Sequence, residues 1–132
     1  MMKNYLLFEL TMTIQKHKGA KRIFLALINS LQGFKWLIKN ETAFQQELIL
    51  ILVLSGTSCF LDISLLLHLL LIVSLLFVLL VEVINTAVEA TIDRIGLEHH
   101  SLSGLAKDLG SLAVLISLAI AIATWGVVLW EL

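Results

Sequence analysis

Glu82, Asn85, Glu89 and Asp93 emerge directly from a long apolar run, within the segment Val81–Asp93. At 100° per residue these four side chains fall within about an 80° arc of one helix face, so they are stacked in depth along a single side. An ionisable side chain inside a membrane helix costs about 2.5–3.5 kcal/mol on insertion scales, and sequences that retain several in a row usually have a site for them. A carboxylate can take a proton from a reacting hydroxyl, and carboxylates also hold Mg²⁺, which prefers oxygen ligands and keeps the phosphates it bridges. A cationic counterpart is present in Lys107, in the first turn of a later helix, and in Arg22 on an earlier one. A lysine beside free N–H groups at a helix start offsets phosphate charge, so the mixture suits a nucleotide. Neither a Gly-x-x-x-x-Gly-Lys-Ser/Thr loop nor a glycine-rich loop of the protein-kinase type occurs, so any phosphoryl transfer must use another architecture.

The elements that must position these residues follow from composition. The chain has 132 residues, of which 59% are hydrophobic, with no proline and seven glycines. That places it outside ordinary soluble composition and towards an all-α integral membrane protein. A net charge of −1 gives no basic excess, which argues against a nucleic-acid partner. With Cys59 as the only cysteine, an intramolecular disulfide and a thiolate metal cluster are both excluded. The amino terminus carries no signal-peptide pattern, since Lys3 precedes a mixed stretch containing Glu9, and targeting is expected to rest on the membrane segments.

Taken as one membrane domain over 1–132, the chain opens with a weakly patterned tail over 1–18, in which Met12 is an alternative start. Over 20–40 a helical wheel places Lys21, Arg22, Asn29, Gln32, Lys35 and Lys39 opposite Ile23, Leu27, Leu31, Phe34, Leu37 and Ile38. This reads as an amphipathic helix, either lying on the membrane surface or covering the bundle, and Trp36 fits an interface. A first span is expected over 43–61. Its apolar part, Leu48–Leu61, is short for roughly 30 Å of hydrocarbon, so the polar turn at Glu41–Glu47 must help to cross the leaflet. Asp62-Ile63-Ser64 forms a tight connection to a second span with a cytoplasmic extension over 63–92, in which His68 reads as a packed or water-facing residue. Gly96 is the expected C-terminal cap, and Ser101 or Ser103 the expected start of the third span, 104–130, whose far end Trp125 and Trp130 mark.

Seven of the nine Lys and Arg lie between Lys3 and Lys39, and the other two are Arg94 and Lys107. The positive-inside bias therefore puts the amino terminus and residues 93–108 in the cytoplasm. Glu41, Glu47, Glu82, Glu89, Asp93, Glu98 and Asp108 then gather at the cytoplasmic interface, where a water-soluble substrate can meet a lipid. Asp62 and Glu131 fall on the other side.

Three segments together, Glu82-Val-Ile-Asn85-Thr-Ala-Val-Glu89-Ala-Thr-Ile-Asp93-Arg94, Asn40-Glu41-Thr-Ala-Phe-Gln-Gln-Glu47 and Ala106-Lys107-Asp108-Leu-Gly-Ser111, closely resemble the prokaryotic diacylglycerol kinases. The resemblance covers roughly residues 20–130, in order and with the same three-span layout. It implies a homotrimeric bundle in the bacterial cytoplasmic (inner) membrane, with sites between subunits. The implied reaction transfers the γ-phosphoryl of ATP to the primary hydroxyl of diacylglycerol, giving phosphatidic acid. By position, Glu82 matches the general base, Asn85 orients the reacting groups, and Glu41 and Glu89 match the ligands of the Mg²⁺ that accompanies ATP. Arg22, Glu98, His99, His100, Lys107 and Asp108 match nucleotide-contacting positions, together with the metal-holding Glu41 and Glu89. Gln46, Glu47 and Ser111, with Glu82 itself, match positions at the lipid head.

Gln45 stands where the family often has arginine, Asn29 where tyrosine is common and Leu31 where tryptophan is common, which leaves the surface helix's contacts to adenine or lipid open. A related branch phosphorylates undecaprenol, but its counterpart of Ala43–Glu47 is basic and contains histidine, and it has small apolar residues in place of Leu109-Gly110-Ser111. The competing class is a non-enzymatic oligomer conducting ions or protons, which needs its acid near mid-membrane, whereas these acids sit at one end with a lysine and a polar loop.

Overall fold

The computed structural model describes residues 19–96, 98 and 100–132, and the described residues form four α-helices: α1 (Ala20–Asn40), α2 (Thr42–Ser58), α3 (Leu65–Ile95) and α4 (Ser101–Trp130). The chain divides into two compact units after Lys39. In the first, α1 begins at Gly19, whose positive φ of 67° suits a residue without Cβ and whose carbonyl accepts from the Arg22 N–H. Its apolar side chains Ile23, Phe24, Leu27 and Leu31 remain exposed, as does Trp36, the expected pattern for a helix that lies against lipid.

The second unit holds the other three helices. Ser64 caps α3, its Oγ accepting from the Leu67 N–H at 3.4 Å. Gly96 ends the helix as expected, donating from its N–H to the Ile92 carbonyl, with Arg94 in the last turn complementing the helix dipole. The start of α4 differs from expectation. The cap is His100 rather than Ser101 or Ser103, because the Nδ1 acceptor of His100 reaches the Leu102 N–H at 3.2 Å, and the two serines already lie within the helix. Between α2 and α3 the chain tightens into a turn in which Cys59, Phe60 and Leu61 donate to the carbonyls three residues before them.

At 1.5 Å per residue, α3 and α4 are each roughly 45 Å long, and both are long and apolar enough to cross a membrane. The first expected span falls on α2, whose 17 residues cover only about 25 Å. Helix α3 is the central element, with α2 and α4 each packed against it. Leu71 is fully buried, Phe44 is buried from α2, and Leu75, Val78, Ala121 and Val128 fill the remaining contacts. Small polar residues let the helices approach. Ser58, Ser74 and Ser117 are buried, and each hydroxyl donates to the carbonyl three residues earlier at 2.7–2.8 Å, so these hydroxyls present no unmet donor to lipid. The outer faces carry large exposed apolar side chains such as Leu66, Leu115 and Ile122.

Because lipid tails are as apolar as leucine, a buried side chain here stabilises mainly through packing rather than transfer from water. Leu71→Ala is expected to destabilise the folded bundle in detergent by about 2–5 kcal/mol. Leu66→Ala, on the outer face of the same helix, should stay within about 0.5 kcal/mol. Equal effects in a reversible unfolding titration would contradict the placement of α3 at the centre.

Candidate functional site

The acidic face of α3 is graded. Glu82 keeps 5% of its surface, Asn85 and Glu89 are half-buried, and Asp93 is exposed. Seven residues of helix separate Glu82 from Glu89, about 10 Å of depth. The Asn85 Nδ2 donates to the Glu89 Oε1 at 3.3 Å across one turn, fixing one carboxylate relative to the helix. Helix α2 brings two further acids. Glu41 is its first flanking residue, with a carboxylate that makes no capping bond to the helix end, and Glu47 lies half-buried a turn and a half later. Glu82 feels the charges of Glu89 and Glu41, and Glu47 feels that of Glu82. Four acids from two helices thus form one like-charged neighbourhood.

Lys107 does not stand free. Its Nζ donates to Asp93 Oδ1 at 2.6 Å, joining the exposed end of the acidic face to α4; because α4 already starts at Ser101, Lys107 lies in its second turn, past the free N–H groups of the helix start beside which the sequence alone places it. Both side chains are substantially solvent-accessible, so the pair is one that water screens and a stronger anion can displace. Asp108 and Ser111 are exposed on α4, as are Gln46 on α2 and Glu98 in the α3–α4 connection. Glu98, His100, Ile95, Gly96 and Ser103 line an open cleft of about 630 Å³ beside that connection. Arg22 is exposed on α1, in the other unit, and the position expected of His99 lies outside the described residues.

Two polar atoms in this region are buried without a hydrogen-bond partner among the described residues, Glu47 Oε2 and Asn85 Oδ1. Such groups normally cost about 1–3 kcal/mol each, so both are places where the fold gives up stability. Glu47 also stands at the wall of an apolar groove of about 330 Å³ that α2, α3 and α4 line with Leu50, Leu54, Leu75, Val78 and Leu118. Among the described residues no group of three His, Cys, Asp or Glu side chains is arranged to hold an ion. The donor set is nonetheless one of hard oxygens, Glu41 and Glu89, whose charges both reach Glu82, and Mg²⁺ is commonly held through one or two carboxylates with substrate phosphates completing its shell.

Two contacts are not visible in the sequence pattern. Asp93 belongs to the acidic face by its spacing, but its pairing with Lys107 does not follow from that, since fourteen positions separate them and only the return of α4 along α3 brings them together. Gly110 lies where α4 passes Asn85 most closely. A glycine inside an otherwise regular helix is the one available signal for such an approach.

Fold and site together define an all-helical membrane protein with a carboxylate-lined helix face at the polar end of its bundle. The sequence profile of the prokaryotic diacylglycerol kinases matches residues 28–129, and the chain belongs to that family. It is 45% identical over 113 residues to the diacylglycerol kinase of Escherichia coli strain K12, covering 86% of this chain and 93% of that protein. It is 46% identical to the Haemophilus influenzae diacylglycerol kinase, over 76% of this chain and 86% of the relative. With the Pseudomonas aeruginosa diacylglycerol kinase the identity is 42%, over 84% and 90% respectively.

Neutralising the most buried acid should relieve repulsion within the cluster. Glu82→Gln is expected to raise the thermal unfolding midpoint in detergent by about 2–8 °C, the shift that 1 kcal/mol produces in domains from small to intermediate size. A lowered midpoint would mean that Glu82 is held by a favourable partner rather than crowded by like charge.

Proposed function

We propose that the chain acts as its relatives are named, as a diacylglycerol kinase, transferring the γ-phosphoryl of ATP to the primary hydroxyl of diacylglycerol at the cytoplasmic face of the inner membrane. The observation that carries this reading is the buried Glu82, set about two turns deeper than Glu89 on one helix face, in the charge neighbourhood of Glu47, which stands at the wall of an apolar groove. A base for a lipid hydroxyl belongs at that depth, and groups that meet a nucleotide belong nearer water.

In this mechanism the diacylglycerol hydroxyl oxygen attacks the γ-phosphorus, its proton passes to a Glu82 carboxylate oxygen, and the bond from the γ-phosphorus to the β–γ bridging oxygen breaks, releasing ADP. Asn85 holds Glu89 through its Nδ2 and orients the reacting groups. Glu41 and Glu89 would hold Mg²⁺ with the phosphates, and the ion when bound neutralises charge on the β- and γ-phosphoryl oxygens. Lys107 leaves Asp93 for the phosphates, an exchange made cheap by the exposure of the pair. Asp108, Glu98 and His100 contact the nucleotide, and Gln46, Glu47 and Ser111 contact the lipid head. Glu47, buried and unpartnered at one oxygen beside the apolar groove, has an acceptor ready for a hydroxyl of the glycerol.

On this reading Glu82→Gln lowers lipid phosphorylation in mixed micelles by about 10²–10⁴-fold, the usual cost of a lost general base, while Mg·ATP binding persists. Near wild-type turnover would remove Glu82 from the role.

Three membrane spans, with α2 and its polar first turn as the first of them, and a homotrimer with sites completed across subunits belong to the same proposal. Its support is that lipid would not tolerate the polar face, so that face must turn inward against protein. Within one chain Glu82 already feels the charge of Glu41, so mixed trimers assembled from inactive Glu41→Gln and inactive Glu82→Gln chains should regain activity only if the trimer brings those acids to one site from different subunits. Glu82→Gln mixed with Glu89→Gln should stay inactive, because one helix carries both. Recovery absent from the first mixture, with mixed trimers shown to form, would refute the shared site.

A further inference from the structure

Gly110 lies inside α4, where the backbone makes no demand for glycine, since its φ is not in the left-handed region and the helix continues for twenty residues beyond it. Among the glycines of the described residues it is the one at which an added Cβ would meet a neighbour, and that neighbour is Asn85. The Cβ would overlap the Asn85 Oδ1 and stand 3.3 Å from its Cγ and 4.0 Å from its Cα. The amide, rather than the backbone of α3, is what occupies the space. In the native chain a glycine Cα–H points at that oxygen, which has no conventional donor and is buried. The other end of the same amide donates to Glu89. With Oδ1 seated against Gly110 and Nδ2 against Glu89, the amide plane is defined from both sides.

We propose that Gly110 is a positioning residue for the phosphoryl transfer: by presenting no side chain at this crossing it seats the Asn85 amide, which in turn sets where the Glu89 carboxylate stands. This rests on the assignment of Asn85 and Glu89 to the site. A methyl group at position 110 cannot share space with the Asn85 oxygen. The amide must rotate about its side-chain torsions, and the bond to Glu89 is lost while both helices stay in place. Overall helix formation is not the difficulty, since alanine is the better helix former of the two.

The test is a double-mutant cycle in mixed micelles with Gly110→Ala, Asn85→Ala and the double variant, measuring kcat, the KM for diacylglycerol and the Mg²⁺ concentration for half-maximal rate. Gly110→Ala is expected to lower kcat by at least about tenfold and to raise the Mg²⁺ requirement, with the lipid KM within about twofold of wild type. In the Asn85→Ala background, where the amide is gone, the same change should cost less than about twofold. A kcat loss of equal size in both backgrounds, or wild-type turnover in Gly110→Ala, overturns the proposal. If Gly110→Ala alone fails to assemble, the double variant decides: assembly with the activity of Asn85→Ala supports the seat, and failure of the double variant as well overturns it. Full activity in Asn85→Ala would instead remove Asn85 from the site, a failure of the underlying assignment that is distinct from failure of the seat.

Discussion

Hydrocarbon offers no partner to a polar group, and each part of this bundle is arranged around that fact. Serines buried between helices return their hydroxyls to their own backbone. The carboxylates cannot do the same. The acids that the bundle shelters lie on one face of α3 and at the start of α2, and along α3 their burial grades from Glu82 to Asp93. Three buried polar atoms among the described residues have no partner, Asn85 Oδ1 on the acidic face, and Glu47 Oε2 and Trp125 Nε1 on residues that line the apolar groove.

A central α3 follows from the same constraint. The helix with the most ionisable side chains has the most to hide, and it is the one packed on both sides, by α2 and by α4. The arrangement also joins stability to chemistry in opposition. Gathering like-charged carboxylates about the buried Glu82 costs folding free energy, so the candidate site is held together at the expense of stability.

Much of this is legible in the residues. The 3.6-residue period through Glu82, Asn85, Glu89 and Asp93 defines the face, the absence of proline and the apolar runs define the helices, and Gly96 marks a helix end. Boundaries set by a side chain's reach are less visible: histidine is an unusual cap, and the serines that follow His100 are the residue type that ordinarily takes that place. Contacts between helices are least legible, because periodicity orders one helix at a time. The Lys107–Asp93 pair and the seat of Asn85 on Gly110 exist only through the alignment of α3 with α4, and no local pattern encodes that alignment.

Mounting Glu82, Asn85 and Glu89 on one uninterrupted helix has a consequence for how such a chain can change over time. A single residue inserted or deleted between Glu82 and Asp93 would turn everything beyond it by about 100° and shift it by about 1.5 Å, carrying an acid from the protected side to lipid. A change of length in the turn before Ser64 or in the connection after Gly96 leaves that face whole, whereas one between Glu82 and Asp93 breaks it. Within α3 the sequence can drift only by exchange of one side chain for another, so the rotational phase of the helix is inherited as a unit.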